Sequence, residues 1–269
     1  MLNALIHDRL MLGIVQALVA ALLALAVVVF ARARGVHIAG EAVVSMLRGA
    51  GQIVAVGLVF VILLRGPVWI SPFVLAGMIA AAAATSSRRA RHYPGAFRIS
   101  LYAVGIGAGA VIALMAALGV IAVTVNSLIP VGSMIIANAM NANGLALDRF
   151  RSEVESHIGE IESALALGAS PEIAVRPYLQ AALRASLIPP LDNLRSLGIV
   201  WIPGLMAGML LAHDSPVYAS IYQFVVLALI LASAGLTCTI GSWLISRRAF
   251  SPAEQLIMRP PVRELSRAQ

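Results

Sequence analysis

Lysine is absent. All nineteen basic residues are arginine, and the phosphate-binding loop of ATP-hydrolysing motors needs a Gly-Lys-Ser/Thr, so the chain carries no Walker A motif. If ATP drives it, a partner subunit binds the ATP and its Mg ion, and this chain holds no cofactor. A single cysteine, Cys238, excludes an internal disulfide and any Cys-x-x-Cys site, and its apolar surroundings give it a packing role. Charged residues make up 12% and aromatics 6%. The formal charge of +7 therefore does not gather into the basic, aromatic-laced patch that nucleic acid requires. His7, His37, His92, His157 and His213 stand far apart with no His-Glu-x-x-His helix, which argues against a zinc protease. No Gly-x-Ser-x-Gly elbow occurs, and neither Ser133 nor Ser186 has an evident histidine partner. Acids are almost missing from the apolar runs, against proton- or sodium-coupled transport.

What is present is apolar. Hydrophobic residues reach 60% with a mean hydropathy of +0.93, above the roughly 45–50% of a soluble domain. The reading is an all-α polytopic integral membrane protein: one transmembrane domain over 1–269 with about seven transmembrane helices. The predicted spans are 10–31, 49–64, 68–85, 99–125, 130–147, 197–212 and 217–245, the first of them about the twenty residues that a bilayer of roughly 30 Å demands. The first reads as a retained span, without a small-x-small cleavage site. Residues 36–48 read as an interfacial elbow helix, residues 126–130 as a short turn, and 249–269 as a loosely ordered tail. Gly105-x-Gly107-x-Gly109 follows no strand and opens no phosphate-binding helix, so close helix packing explains it. Placing the loop after the first span in the cytoplasm puts seventeen of nineteen arginines inside, leaving only Arg9 and Arg65 outside. The N-terminus is then outside and the C-terminus cytoplasmic.

One long polar segment, 148–192, interrupts this pattern. It holds Asp148, Glu153, Glu155, Glu160, Glu162 and Glu172. Phe150, Val154, Ile158, Ile161 and Leu165 recur at helical spacing, while Arg151, Glu153, Glu155 and Glu160 fall on the wet face. A second helix follows the turn at Leu167-Gly168-Ala169-Ser170-Pro171, with Ser170 suited to the N-cap, Pro171 to the first helical position and Glu172 to the N-terminal dipole. The segment reads as a cytoplasmic helical hairpin between the fifth and sixth spans, shaped to dock a soluble partner. Uncharged polarity marks the candidate transport pathway: Gln52, Asn138, Asn141 and Gln223, each able to line a path or to hold helices together. Met134, Met140 and Met206 join them as soft donors or as adaptable filler.

These residues resemble a known family, the Fet-type iron-export permeases of bacteria and the plant aluminium-tolerance half-transporters. Arg48-Gly49-Ala50-Gly51-Gln52 is similar to the start of the family's second span, and Pro130-Val131-Gly132-Ser133-Met134 with Asn138-Ala139-Met140 to its fifth-span signature. Leu167-Gly168-Ala169-Ser170, Arg184-Ala185-Ser186-Leu187-Ile188-Pro189 with Asp192, Pro203-Gly204-Leu205-Met206-Ala207-Gly208 and Tyr222-Gln223 complete the likeness. Ser133, Ala137, Leu205 and the turn His213-Asp214-Ser215-Pro216 depart from it. The resemblance implies the membrane subunit of an ABC exporter, two copies of which work with two separate cytoplasmic ATPase subunits on iron or another metal. Glu162-Ser163-Ala164-x-x-x-Gly168 is similar to the coupling helix of such permeases, so Glu162, Leu167, Gly168, Ala169 and Ser170 are the expected ATPase contact. A non-metal solute such as a nucleotide sugar is the alternative cargo, and a channel or membrane scaffold without an ATPase the alternative function.

Overall fold

Arginines, prolines and helix-ending turns punctuate the apolar runs, and between them the computed structural model of the protein is helical. It describes residues 9–35, 39–63, 66–90, 95–251 and 255–257. Among these the elements are α1 (Arg9–Ala33), α2 (Ala39–Leu63), α3 (Ser71–Ser87), α4 (Ala96–Ala117), α5 (Val125–Ser156), α6 (Ile158–Ala166), α7 (Pro171–Ser196), α8 (Gly204–Leu211) and α9 (Pro216–Arg248). Short 3-10 turns at Val68–Ile70 and Arg88–Ala90 bracket α3, and no strand is present among the described residues. The contacts group into two compact units, Met1–Gly66 and Pro67–Gln269.

In the first unit, α1 and α2 turn Leu22, Leu23 and Val27, and Ile53, Val54 and Leu58, outward. Side chains of that kind suit lipid, not water. The expected break between an elbow helix and the second span is absent. No proline follows Arg48, so the helix runs through Gly49-Ala50-Gly51 and α2 is continuous for 25 residues. Residues 36–38 of that elbow lie outside the described residues, as do Arg65 and Arg91.

In the second unit, α9 packs on α4, α5 and α7, while α3 packs on α4 and α5. One core joins Leu75, Val104, Ile112, Ile135 and Val226; a second, at the other end of the bundle, joins Ala96, Leu147, Phe150, Val154, Ile161, Val175 and Ile245. The glycine pattern in α4 has one member at a true crossing. A Cβ on Gly107 would meet the Thr237 hydroxyl and lie 2.7 Å from the Thr237 backbone nitrogen, whereas Cβ atoms on Gly105 and Gly109 would find only Ile79, at 3.8 and 3.9 Å. Small-residue packing is thus the reason for Gly107, against α9.

Among the described residues, five helical stretches are long and apolar enough to cross a membrane: Met11–Ala33, Ala42–Val61, Val68–Ala90, Ala96–Ala117 and Pro216–Arg248. They match the first four predicted spans and the last, with shifted ends. The fourth ends at Ala117 because Gly119, at φ +71, closes a Schellman turn: its N–H reaches the Ala116 carbonyl and the Val120 N–H the Met115 carbonyl. The predicted turn at 126–130 is helix instead, since α5 starts at Val125 and carries Pro130 inside its second turn. The sixth predicted span is a larger correction. Pro203 has extended backbone geometry and caps α8, leaving only eight helical residues, about 12 Å of helix and too short to cross. The tail at 249–269 is described only in part. That part is fastened, since Ala249 and Leu256 are buried and the Ile257 N–H donates to the Ala249 carbonyl at 2.8 Å.

Helix α8 ends in the same Schellman turn as α4, with His213 where glycine sits at 119. The His213 N–H donates to Leu210 and the Asp214 N–H to Met209, at φ +68 for His213. A side chain in that region costs about 1–2 kcal/mol, and glycine loses part of the gain through the unfolded chain. Because His213 is exposed, His213→Gly is expected to stabilise the protein by about 0.5–1 kcal/mol, read as a raised midpoint in thermal unfolding in detergent.

Candidate functional site: an exposed elbow and a polar cavity

The polar segment forms an elbow on a buried base. Phe150, Val154 and Ile161 are fully buried, with Ile158 and Leu165 packed beside them, so the apolar stripe read from the sequence is the face that packs against Ala174 and Val175 of α7. On the wet side Arg151 and Glu155 pair at 2.7 Å across one turn. The first arm is two helices. His157, at φ −123 and ψ 26, divides α5 from α6, and its ring stacks on Tyr178 of α7 with centroids 4.8 Å apart. The Tyr178 hydroxyl donates to Glu160 Oε2 at 2.9 Å. Burial, and after it the Glu160 carboxylate, raises that phenol above its ordinary 10.0, so Tyr178 keeps its proton and ties α6 to α7.

At the tip the chain reverses through a third Schellman turn. The Gly168 N–H donates to Leu165 and the Ala169 N–H to Ala164, each at 3.0 Å, with Gly168 at φ +90. Ser170 takes the N-cap position and Pro171 the first turn of α7, as predicted, but the Ser170 hydroxyl makes no capping bond. Glu162 and Gly168 are exposed, Ala169 half-buried and Leu167 89% exposed. Burying a leucine fully contributes roughly 1.5–3 kcal/mol, so Leu167 gains almost nothing from the chain's own fold.

The second arm continues without interruption from the tip into the bundle, and the first does so from the break at His157 inward. Helix α5 spans 32 residues and α7 26. Arg195, counted from the sequence with the elbow side, therefore lies at the far end of α7, about 36 Å of helix from Pro171. Between the two helices lies a cavity of about 350 Å³ lined by Asn138, Asn141, Ala142 and Leu145 of α5, Ser186, Pro189, Pro190 and Asn193 of α7, and Arg89. Among the described residues, no carboxylate, histidine or cysteine lines it. Asn138 bonds back to its own helix, Nδ2 donating to the Met134 carbonyl at 2.9 Å, which leaves its Oδ1 as the acceptor. Pro189 and Pro190 have no N–H, so the Ala185 and Ser186 carbonyls one turn earlier receive no α-helical bond from them.

The predicted pathway residues separate. Asn138 and Asn141 share the cavity, with Asn141 exposed and Asn138 half-buried. Met134 and Met140 pack on the first core. Gln223 is fully buried and its Oε1 accepts from the Met206 backbone N–H at 3.2 Å, so it fastens α8 to α9. Gln52 lies exposed on α2, in the other unit. Asn143 is a junction: fully buried, it donates through Nδ2 to Ser86 and Ser100 Oγ, each at 3.2 Å, so that three helices meet on one amide. A Cβ on Gly241 of α9 would strike its Oδ1. Arg89, Ser186, Asn193 and the two prolines were missed as lining residues. The signal available was a proline pair between a buried serine and an asparagine, since consecutive prolines inside a helix free carbonyls that need donors.

Comparison with known proteins agrees with this architecture. Residues 14–250 match the model of an uncharacterised family, UPF0014. The UPF0014 membrane protein YjkA of Bacillus subtilis is 33% identical over 218 residues, 80% of this chain and 87% of YjkA. Protein ALUMINUM SENSITIVE 3 of Arabidopsis thaliana is 29% identical over 246 residues, 91% of this chain and 90% of the relative. The probable iron export permease protein FetB of Escherichia coli is 33% identical over 177 residues, 66% of this chain and 68% of FetB. No solved structure matches. With a family model covering most of its length, a relative named as a probable iron export permease, and five helices among the described residues able to cross a bilayer, the chain belongs to the UPF0014 membrane protein family.

Proposed function

We propose that the chain is the membrane subunit of an ABC exporter, working as a pair of copies with two separate ATPase subunits. Its cargo is a metal, iron first, or a metal-related solute. The observation that carries the ATPase reading is the elbow: a rigid turn on a buried base that holds Leu167 out in water beside Glu162 and Gly168. A short helix presenting one apolar anchor and a charge suits a groove on a soluble motor, where the anchor becomes the buried centre of the contact. The elbow belongs to the end of the bundle that carries Arg88, Arg89, Arg98, Arg247 and Arg248, which the positive-inside bias puts in the cytoplasm with the C-terminus. Helices α5 and α7 then cross as a polar pair beside the apolar ones. Of the two, α7 runs unbroken from the tip of the elbow to the cavity, so it is the helix that passes motion of the ATPases inward, whereas the other arm is divided at His157.

Iron enters through the relative named as an iron export permease. The test is co-expression with a candidate ABC ATPase subunit from the same organism, followed by co-purification and ATPase assays in lipid. A stable complex whose ATP hydrolysis rises with the permease is the expected result. A permease that purifies alone and conducts ions without ATP would establish a channel instead.

A further inference from the structure

The α5–α7 cavity has a chemistry of its own. Among the described residues its one charged lining group is Arg89, no acid lines the cavity, and Arg89 makes no ion pair. The arginine follows α3 in the Arg88–Ala90 turn and lies across α5 where Gly144 leaves it room: a Cβ there would sit 3.2 Å from the Arg89 Cδ and 3.4 Å from its Nε. A bare divalent cation prefers carboxylate, imidazole or thiolate and is repelled by a guanidinium. A guanidinium is instead a bidentate donor for a carboxylate. The remaining lining supplies acceptors for hydroxyl groups: Asn138 Oδ1, the amides of Asn141 and Asn193, and the Ser186 carbonyl that Pro190 deprives of its helical donor. The volume, about 350 Å³, is near the low end of small-molecule pockets, which run from roughly 300 to 1,000 Å³.

We infer that this cavity binds a small hydroxycarboxylate, free or as the ligand shell of a metal complex, with Arg89 holding a carboxylate and the asparagine amides reading its hydroxyls. As the cargo site of the exporter the inference rests on the function proposed above; as a binding site it stands without the ATPase. The charge on the cargo would then be negative even where the atom moved is a metal.

Equilibrium dialysis of the full chain in lipid nanodiscs, without ATPase, tests it with radiolabelled citrate, ferric citrate and manganous ion as probes. Saturable binding of citrate, ferric citrate or both is expected, and their relative affinities tell the free acid from the complex. Arg89→Gln is expected to weaken binding at least about tenfold, as loss of a charge-assisted hydrogen bond does. Asn141→Ala, at an exposed position, weakens it less, and Arg247→Gln, outside the cavity, leaves it unchanged. Thermal unfolding of each variant identifies any loss that is merely a loss of fold. Absence of saturable citrate and ferric citrate binding, binding indifferent to Arg89→Gln, or manganous ion bound in their place overturns the inference. Failure of co-purification with the ATPase would sink the exporter reading and leave this result untouched.

Discussion

Leu167→Asp will separate the permease from its ATPase while leaving the permease folded. The side chain is 89% exposed at the turn between α6 and α7, and surface changes of that kind usually alter stability by no more than about 0.5 kcal/mol. In a complex the same side chain enters the partner's groove, where an apolar anchor contributes about 2 kcal/mol or more and an unpaired carboxylate costs extra. A fall in affinity of at least about 30-fold follows, measured as loss of co-purification and of stimulated ATP hydrolysis. Gly168→Arg also adds bulk at the tip, but it forces a side chain into φ +90 and so mixes strain with contact. Leu167→Asp isolates the contact. An unchanged, fully stimulated complex would move the coupling surface away from the elbow.

The elbow was legible because its signals are local. Helical spacing of Phe150, Val154 and Ile161, a glycine at 168 and a proline at 171 each act within one or two turns, and the structure places all of them as that spacing requires. Helix continuity was harder to read. Asp148 looks like the end of a span, yet α5 runs through it, because a charge on an exposed face ends an apolar run without ending a helix. Conversely, 197–212 has a span's hydropathy but not a span's backbone, since Gly198 takes φ +75 and Pro203 is extended. The cavity depends on tertiary neighbours. Nothing near Arg89 in sequence announces Asn141 or Asn193, and the roles of Asn138 and Asn143, one lining a cavity and one locking α3, α4 and α5, differ only by which face of α5 each occupies.

The glycine pattern of α4 yields the second large effect, and its three members predict opposite outcomes. Gly107→Ala places a methyl against the hydroxyl and backbone of Thr237, so α4 and α9 must move apart. Backbone cannot give way as a long side chain can, and overpacking at such a crossing costs about 1–3 kcal/mol or more. The crossing also stands next to the first core, where Val104, Ala108 and Ile230 are buried, so separation there loosens contacts along both helices. Gly107→Leu is expected to leave little folded protein. Gly105→Ala and Gly109→Ala meet only Ile79 at ordinary contact distance, and each replaces glycine by the best helix former, a change worth up to about 1 kcal/mol in favour of the helix. Thermal unfolding of the three alanine variants in one detergent should therefore order them with Gly107→Ala well below the parent and the other two at or above it. Equal loss at all three positions would mean that α4 and α9 do not cross at Gly107.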